Sequence, residues 1–86
     1  MKITEVQITP IKANNGLIAI GSVIFDNKLY LGSIGVHKRL YSDGYRITYP
    51  TKLVGDKSIN IYHPINRETS LAIEKAIIKR VKETFE

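Results

Sequence analysis

Acid–base chemistry would fall first to the two histidines, His37 and His63. Such catalysis needs a titratable group within hydrogen-bond reach of the reacting atom, usually held there by an orienting partner. The two histidines fall on separate predicted elements. His63 also precedes Pro64, where packing or capping a turn suits it better than acting as a base. Asp26, Asp43 and Asp56 each sit beside Asn or Gly, the ordinary setting of turn aspartates. No spacing suggests a nucleophile with its base, a carboxylate pair, a metal cluster, or a glycine-rich phosphate loop leading into a helix. The chain has no cysteine, which removes disulfides, thiolate metal sites and thiol catalysis. Neither an enzymatic role nor a cofactor or small-molecule substrate is expected.

Charge points elsewhere. Thirteen basic against eight acidic side chains give the 86-residue chain a formal charge of +5, a balance that favours an anionic partner through steering and counterion release. Much of the excess lies between His37 and Lys57, where Lys38, Arg39, Arg46, Lys52 and Lys57 face only Asp43 and Asp56. Tyr41, Tyr45 and Tyr49 interleave with these cations. Cations neutralise phosphates and aromatic rings stack on unpaired bases, so this mixture suits a nucleic-acid surface. Equally, tyrosines favour strands, and at least one would fill the core. A second basic set lies near the C-terminus. At 100° per residue, Lys75, Lys79 and Lys82 share one side of a helix within about 80°, with Arg80 toward the flank. Glu68 and Glu86 project on that same side, so a plain solvated face accounts for these lysines as well.

The elements that must position these groups follow from the apolar pattern. Short runs rich in Ile, Val and Tyr predict strands over 2–9, 17–26, 28–36, 45–49 and 58–62. Pro10 marks a strand end or an edge position, because it cannot donate to a ladder. Ala13-Asn14-Asn15-Gly16, Asp26-Asn27 and Ser42-Asp43-Gly44 supply the turns, and residues 51–57 read as a polar loop. Gly32 and Gly35 in the third strand signal a bulge or a close backbone approach. From Arg67 the spacing changes. Ile73, Ala76, Ile77, Val81 and Phe85 recur at three and four, predicting an amphipathic helix capped by Asn66 with Glu68 in its first turn. The expected fold is α+β: a five-stranded antiparallel meander followed by one long C-terminal helix, in two layers, as a single domain over residues 1–86. The second strand is apolar on both parities, and Glu74 falls among Ile78, Val81 and Phe85. Both features predict a homodimer formed through the sheet, since a two-fold interface would cover the extra surface.

The stretch His63-Pro64-Ile65-Asn66, preceded by Ile59 and followed by the helix, resembles the signature of the stage V sporulation protein G (SpoVG), or septation protein, family. Val6 in the first strand, Ala19-Ile20 and Asp26 in the second, Ile34 and Val36 before the turn with Gly44, and Pro50-Thr51-Lys52 fit the same pattern, from about residue 3 to 85. The resemblance implies a small dimeric bacterial regulator that binds DNA and, in some members, RNA. It also implies links to septation, sporulation, cell division and transcription control, without catalysis or cofactor. Lys38-Arg39-Leu40-Tyr41 departs from the family pattern, standing where acidic or neutral residues are frequent.

The expected nucleic-acid-binding residues are therefore Lys75, Lys79, Arg80 and Lys82 on the helix, with Lys38, Arg39, Arg46 and Lys52 extending the footprint over the adjacent loops. No metal ligand is assigned. The longest uncharged run, 13–25, is too short to span a bilayer. No export signal opens the sequence, so a cytoplasmic protein without membrane association is expected. The alternative is a protein-interaction module whose basic surface docks on an acidic partner.

Overall fold

In a computed structural model, which describes residues 2–86, the turn residues set the hairpins. Asn15 and Gly16 at positive φ reverse the chain between β1 (Ile3–Asn14) and β2 (Leu17–Phe25). Asp26 and Asn27, with φ of 51° and 55°, are the central pair of a turn closed by Lys28 N–H donating to the Phe25 carbonyl at 2.8 Å. Because Phe25 pairs with Leu29, the connection to β3 (Leu29–Lys38) has three residues rather than the expected two. β4 (Tyr45–Thr48) completes an antiparallel sheet in the order β1-β2-β3-β4. Pro10 lies within β1 rather than at its end, opposite Ala19. β1 is the sheet's edge, where a missing N–H costs no ladder bond.

The bulge falls at Gly32-Ser33. The β2–β3 register shifts there, between the pairs Val23–Leu31 and Gly21–Ile34, and Ser33 adopts φ of 60°. The Tyr62 hydroxyl donates to the Gly32 carbonyl at 2.7 Å, tying the segment before the helix to this irregularity. Gly35 answers a close approach: a Cβ there would lie 2.6 Å from Thr48 Oγ1.

The α+β class and the C-terminal helix agree with expectation, but the strand count does not. Instead of a five-stranded meander there are four strands in one sheet and a separate two-stranded hairpin, β5 (Thr51–Val54) and β6 (Lys57–Asn60). The stretch expected as a loop over 51–57 is strand on both sides of Gly55-Asp56, which form the turn of the hairpin with Gly55 at φ of 66°. This hairpin is an arm that packs on neither the sheet nor the helix. Its root is closed by Ile61 N–H donating to the Pro50 carbonyl (3.0 Å) and by Tyr49 meeting Tyr62 edge-on, with ring centroids 6.0 Å apart.

Helix α1 (Arg67–Phe85) begins where predicted. Asn66 is extended, and its side chain accepts the Thr69 N–H at 2.8 Å, satisfying one of the free donors of the first turn. Its buried face, Ile73, Ile77 and Val81, lies on Ala19, Val23, Phe25, Ile34 and Val36 of the central strands. Phe85, placed on that face by spacing, is exposed in the last turn. On β2 a register irregularity between Leu17 and Ala19 turns Ile18 toward the core, while Leu17 reaches the opposite face beside Gly35. The second apolar face of β2 is thereby reduced to half-buried Leu17, Ile20 and Ile24.

Candidate nucleic-acid interface

Antiparallel pairing places the basic groups of β3 and β4. His37 pairs with Arg46 and Lys38 with Tyr45, so successive residues fall on opposite faces of the sheet. The β3–β4 loop then folds back, with Arg39 N–H donating to the Gly44 carbonyl at 3.1 Å and Gly44 at φ of 106°. The result is an open groove of about 290 Å³ between the β1–β2 turn and the β3–β4 loop. His37, Lys38, Arg39, Tyr41 and Arg46 line it, and no acidic side chain does.

Lys38 stands at a junction. On its other side it lines a second groove together with Tyr45, Lys82 and Phe85, and with Asp43 and Glu86 as acidic members. The last turn of the helix is thus brought beside the sheet cations at one end of the molecule. The Tyr45 hydroxyl donates to Glu86 Oε2 at 3.0 Å, which fixes the helix end against β4. That bond, then burial and the carboxylate charge, raise the Tyr45 pKa above its usual value.

The other helix cations separate into two groups. Lys75, Lys79 and Lys82 share an exposed face as predicted, but they flank Leu71 and Ile78 rather than a purely polar surface, with Glu74 beside them. Arg80 turns toward β1, lining a groove with Ile3–Val6, and pairs with Glu83 at 3.5 Å. This is the only ion pair among the described residues. Lys52 lies on the arm, apart from both grooves.

His37 is the groove residue that sequence reasoning missed. Its Nε2 lies 3.1 Å from Thr48 Oγ1, and its Nδ1 is buried without a partner. Burial, and secondarily the Arg46 guanidinium, push its pKa down, so the ring is neutral at pH 7. Only the β3–β4 register sets it beside Arg46. His63 lies elsewhere, exposed, with Nδ1 3.1 Å from the Pro64 carbonyl oxygen. Among the described residues no cluster of His, Asp and Glu could hold a metal, and no helix is long and apolar enough to cross a membrane.

Comparisons with known proteins place these observations in a family. The SpoVG family model matches residues 1–83. Proteins named "Putative septation protein SpoVG" align along the chain. That of Finegoldia magna is 36% identical over 87 residues, covering all of this chain and 79% of the relative. One from Clostridium perfringens is 38% identical over 79 residues, covering 91% of this chain and 86% of the relative. That of Archaeoglobus fulgidus is 31% identical over 83 residues, covering 95% of each. The His-Pro-Ile-Asn stretch that enters the helix, the sheet beneath that helix and these full-length matches agree: the chain is a member of the SpoVG family of septation proteins.

Proposed function

We propose that this protein is a non-enzymatic cytoplasmic regulator that binds nucleic acid as a homodimer. The observation that carries the reading is the position of Lys38 between the two grooves. It joins Arg39 and Arg46 on the sheet side to Lys82 at the helix end, and none of the four forms an ion pair among the described residues. Lys75 and Lys79 continue the line along the helix. Phosphate contacts from such a line set register and affinity rather than base preference. Arg80 is weakened as a contact by Glu83, and Lys52 contributes through the arm.

The arm supports the dimer. An isolated two-stranded hairpin is at best marginally stable in water, yet β5 and β6 expose Leu53, Val54 and Ile59. Half-buried Leu17, Ile20 and Ile24, with exposed Tyr30, leave an apolar strip on the sheet face away from the helix. A second copy offers both surfaces at once, and a two-fold axis would let each arm cover its partner.

The test is a titration of duplex DNA, single-stranded DNA and RNA against salt. Counting the four junction cations of one protomer, the log–log slope on duplex should be near −3.6 per protomer engaged, about −0.9 for each contact. Lys38→Ala with Lys82→Ala should bring it to about −1.8 at every sequence. An unchanged slope would remove the junction from the interface. Absence of binding at low salt would reject the nucleic-acid reading and favour an acidic protein partner for the same surface.

A further inference from the structure

Three tyrosines are interleaved with the groove's cations in sequence, and the fold leaves one of them free. Tyr49 is half-buried and packed edge-on against Tyr62. Tyr45 is half-buried against the core and bonded to Glu86. Tyr41 is 99% exposed, and Leu40 beside it 78%. Its position is defined by the fold. The loop that carries it is pinched shut by the bond from Arg39 N–H to the Gly44 carbonyl, directly after the Lys38–Tyr45 strand pair. Tyr41 therefore stands on the wall of the groove that holds Lys38, Arg39 and Arg46.

The Tyr41 ring contributes nothing to the core, so its face is free for a ligand. Placed beside three cations and no carboxylate, it matches the two-part chemistry of single-strand recognition: cations along the backbone and an aromatic face for a base. Duplex bases are already stacked on one another, and offering one to the ring would cost unstacking energy. We propose that Tyr41 is a base-stacking platform, so that the groove takes an unpaired stretch of DNA or RNA, with phosphates on Lys38, Arg39 and Arg46 and a base against the ring. This rests on the nucleic-acid reading above and deepens it by naming the strand state.

The experiment compares wild type, Tyr41→Ala and Tyr41→Phe in fluorescence anisotropy titrations. The probes are a labelled 12-nucleotide oligo-dT, an unstructured RNA of equal length, and a 12-base-pair duplex, each at several salt concentrations. Tyr41→Ala should weaken single-strand binding about 5- to 150-fold with the salt slope unchanged, because no cation is removed. Tyr41→Phe should keep wild-type affinity within about twofold, since the ring face survives. Duplex affinity should not move with either variant. Exposure of the side chain makes misfolding a minor concern, and an unchanged helical circular dichroism signal checks it. If Tyr41→Ala matches wild type on single strands that wild type binds in a salt-dependent way, the stacking proposal falls while the nucleic-acid reading stands. Equal loss on duplex and single strand also overturns it. If wild type binds none of the probes at low salt, both readings fall together.

Discussion

Ile77 offers the sharpest test of how the helix is held to the sheet. It is fully buried at the centre of α1, and directly beneath it β2 presents Gly21, with no side chain. A Cβ at Gly21 would lie 3.1 Å from Ile77 Cδ1 and 3.2 Å from Ile8 Cδ1, so the isoleucine rests on bare backbone. Ile77→Ala deletes three carbons, a transfer loss of about 2.4 kcal/mol at about 0.8 kcal/mol each. The cavity left behind adds to that, because Gly21 has nothing to swing into it and backbone relaxes less than side chains do. The expected cost is about 3.5 kcal/mol, toward the middle of the range for such substitutions. An 86-residue domain commands only about 4–13 kcal/mol in total, so the variant approaches the limit of foldability. At about 1.5 kcal/mol per molar urea the denaturation midpoint should fall by about 2 M with an unchanged slope. Measurements belong at one protein concentration, since association adds to apparent stability. The comparison variant is Ile78→Ala, one residue on and only half-buried, which should cost about 1 kcal/mol. Equal midpoints for the two variants, or a loss below about 1 kcal/mol for Ile77→Ala, would refute this packing.

Asn66→Ala should cost about 1 kcal/mol in the same urea assay by freeing the Thr69 N–H, and Asn66→Ser should recover most of it. His37 has a folded pKa below its ordinary value of 6.5, so the unfolded chain protonates first and stability falls as pH drops below about 6.5, levelling off once the folded ring is also protonated. A bound phosphate should raise that pKa, which histidine ring chemical shifts against pH would read directly; an identical titration with and without oligonucleotide would place His37 outside the interface. Tyr62 is pushed up to about 12, first by burial and then by the neighbouring Tyr49 and Tyr30. The unfolded tyrosine ionises near 10, so stability should be lost as pH rises from about 10 to 12, and Tyr62→Phe should flatten that limb of the urea-midpoint profile.

Local pattern made the helix and most of the sheet legible. The switch from two-fold to three-and-four spacing at Arg67, the side chain of Asn66, and Asp26-Asn27 each carry their meaning within a few residues, because caps, turns and amphipathic faces are made by neighbours in sequence. The SpoVG resemblance likewise rested on short contiguous stretches. The arm was missed for a related reason. Thr51–Val54 is four residues with a lysine in it, too brief for alternation to separate strand from loop.

What tertiary structure alone decided is which groups meet. Sequence placed Lys38, Arg39, Arg46, Lys52, Lys75, Lys79, Arg80 and Lys82 on two elements and their loops, with no means of ranking them. The β3–β4 register put His37 opposite Arg46, and helix docking carried Lys82 to Lys38, while Arg80 went to Glu83 and Lys52 to the arm. Among the tyrosines, packing consumed Tyr49 and Tyr45 and left Tyr41 in solvent. Helix and strand periods are properties of adjacent residues, so the chain itself determined them. The union of Lys38 with Lys82, forty-four positions apart, exists only because the hydrophobic faces of α1 and the sheet admit one docked arrangement.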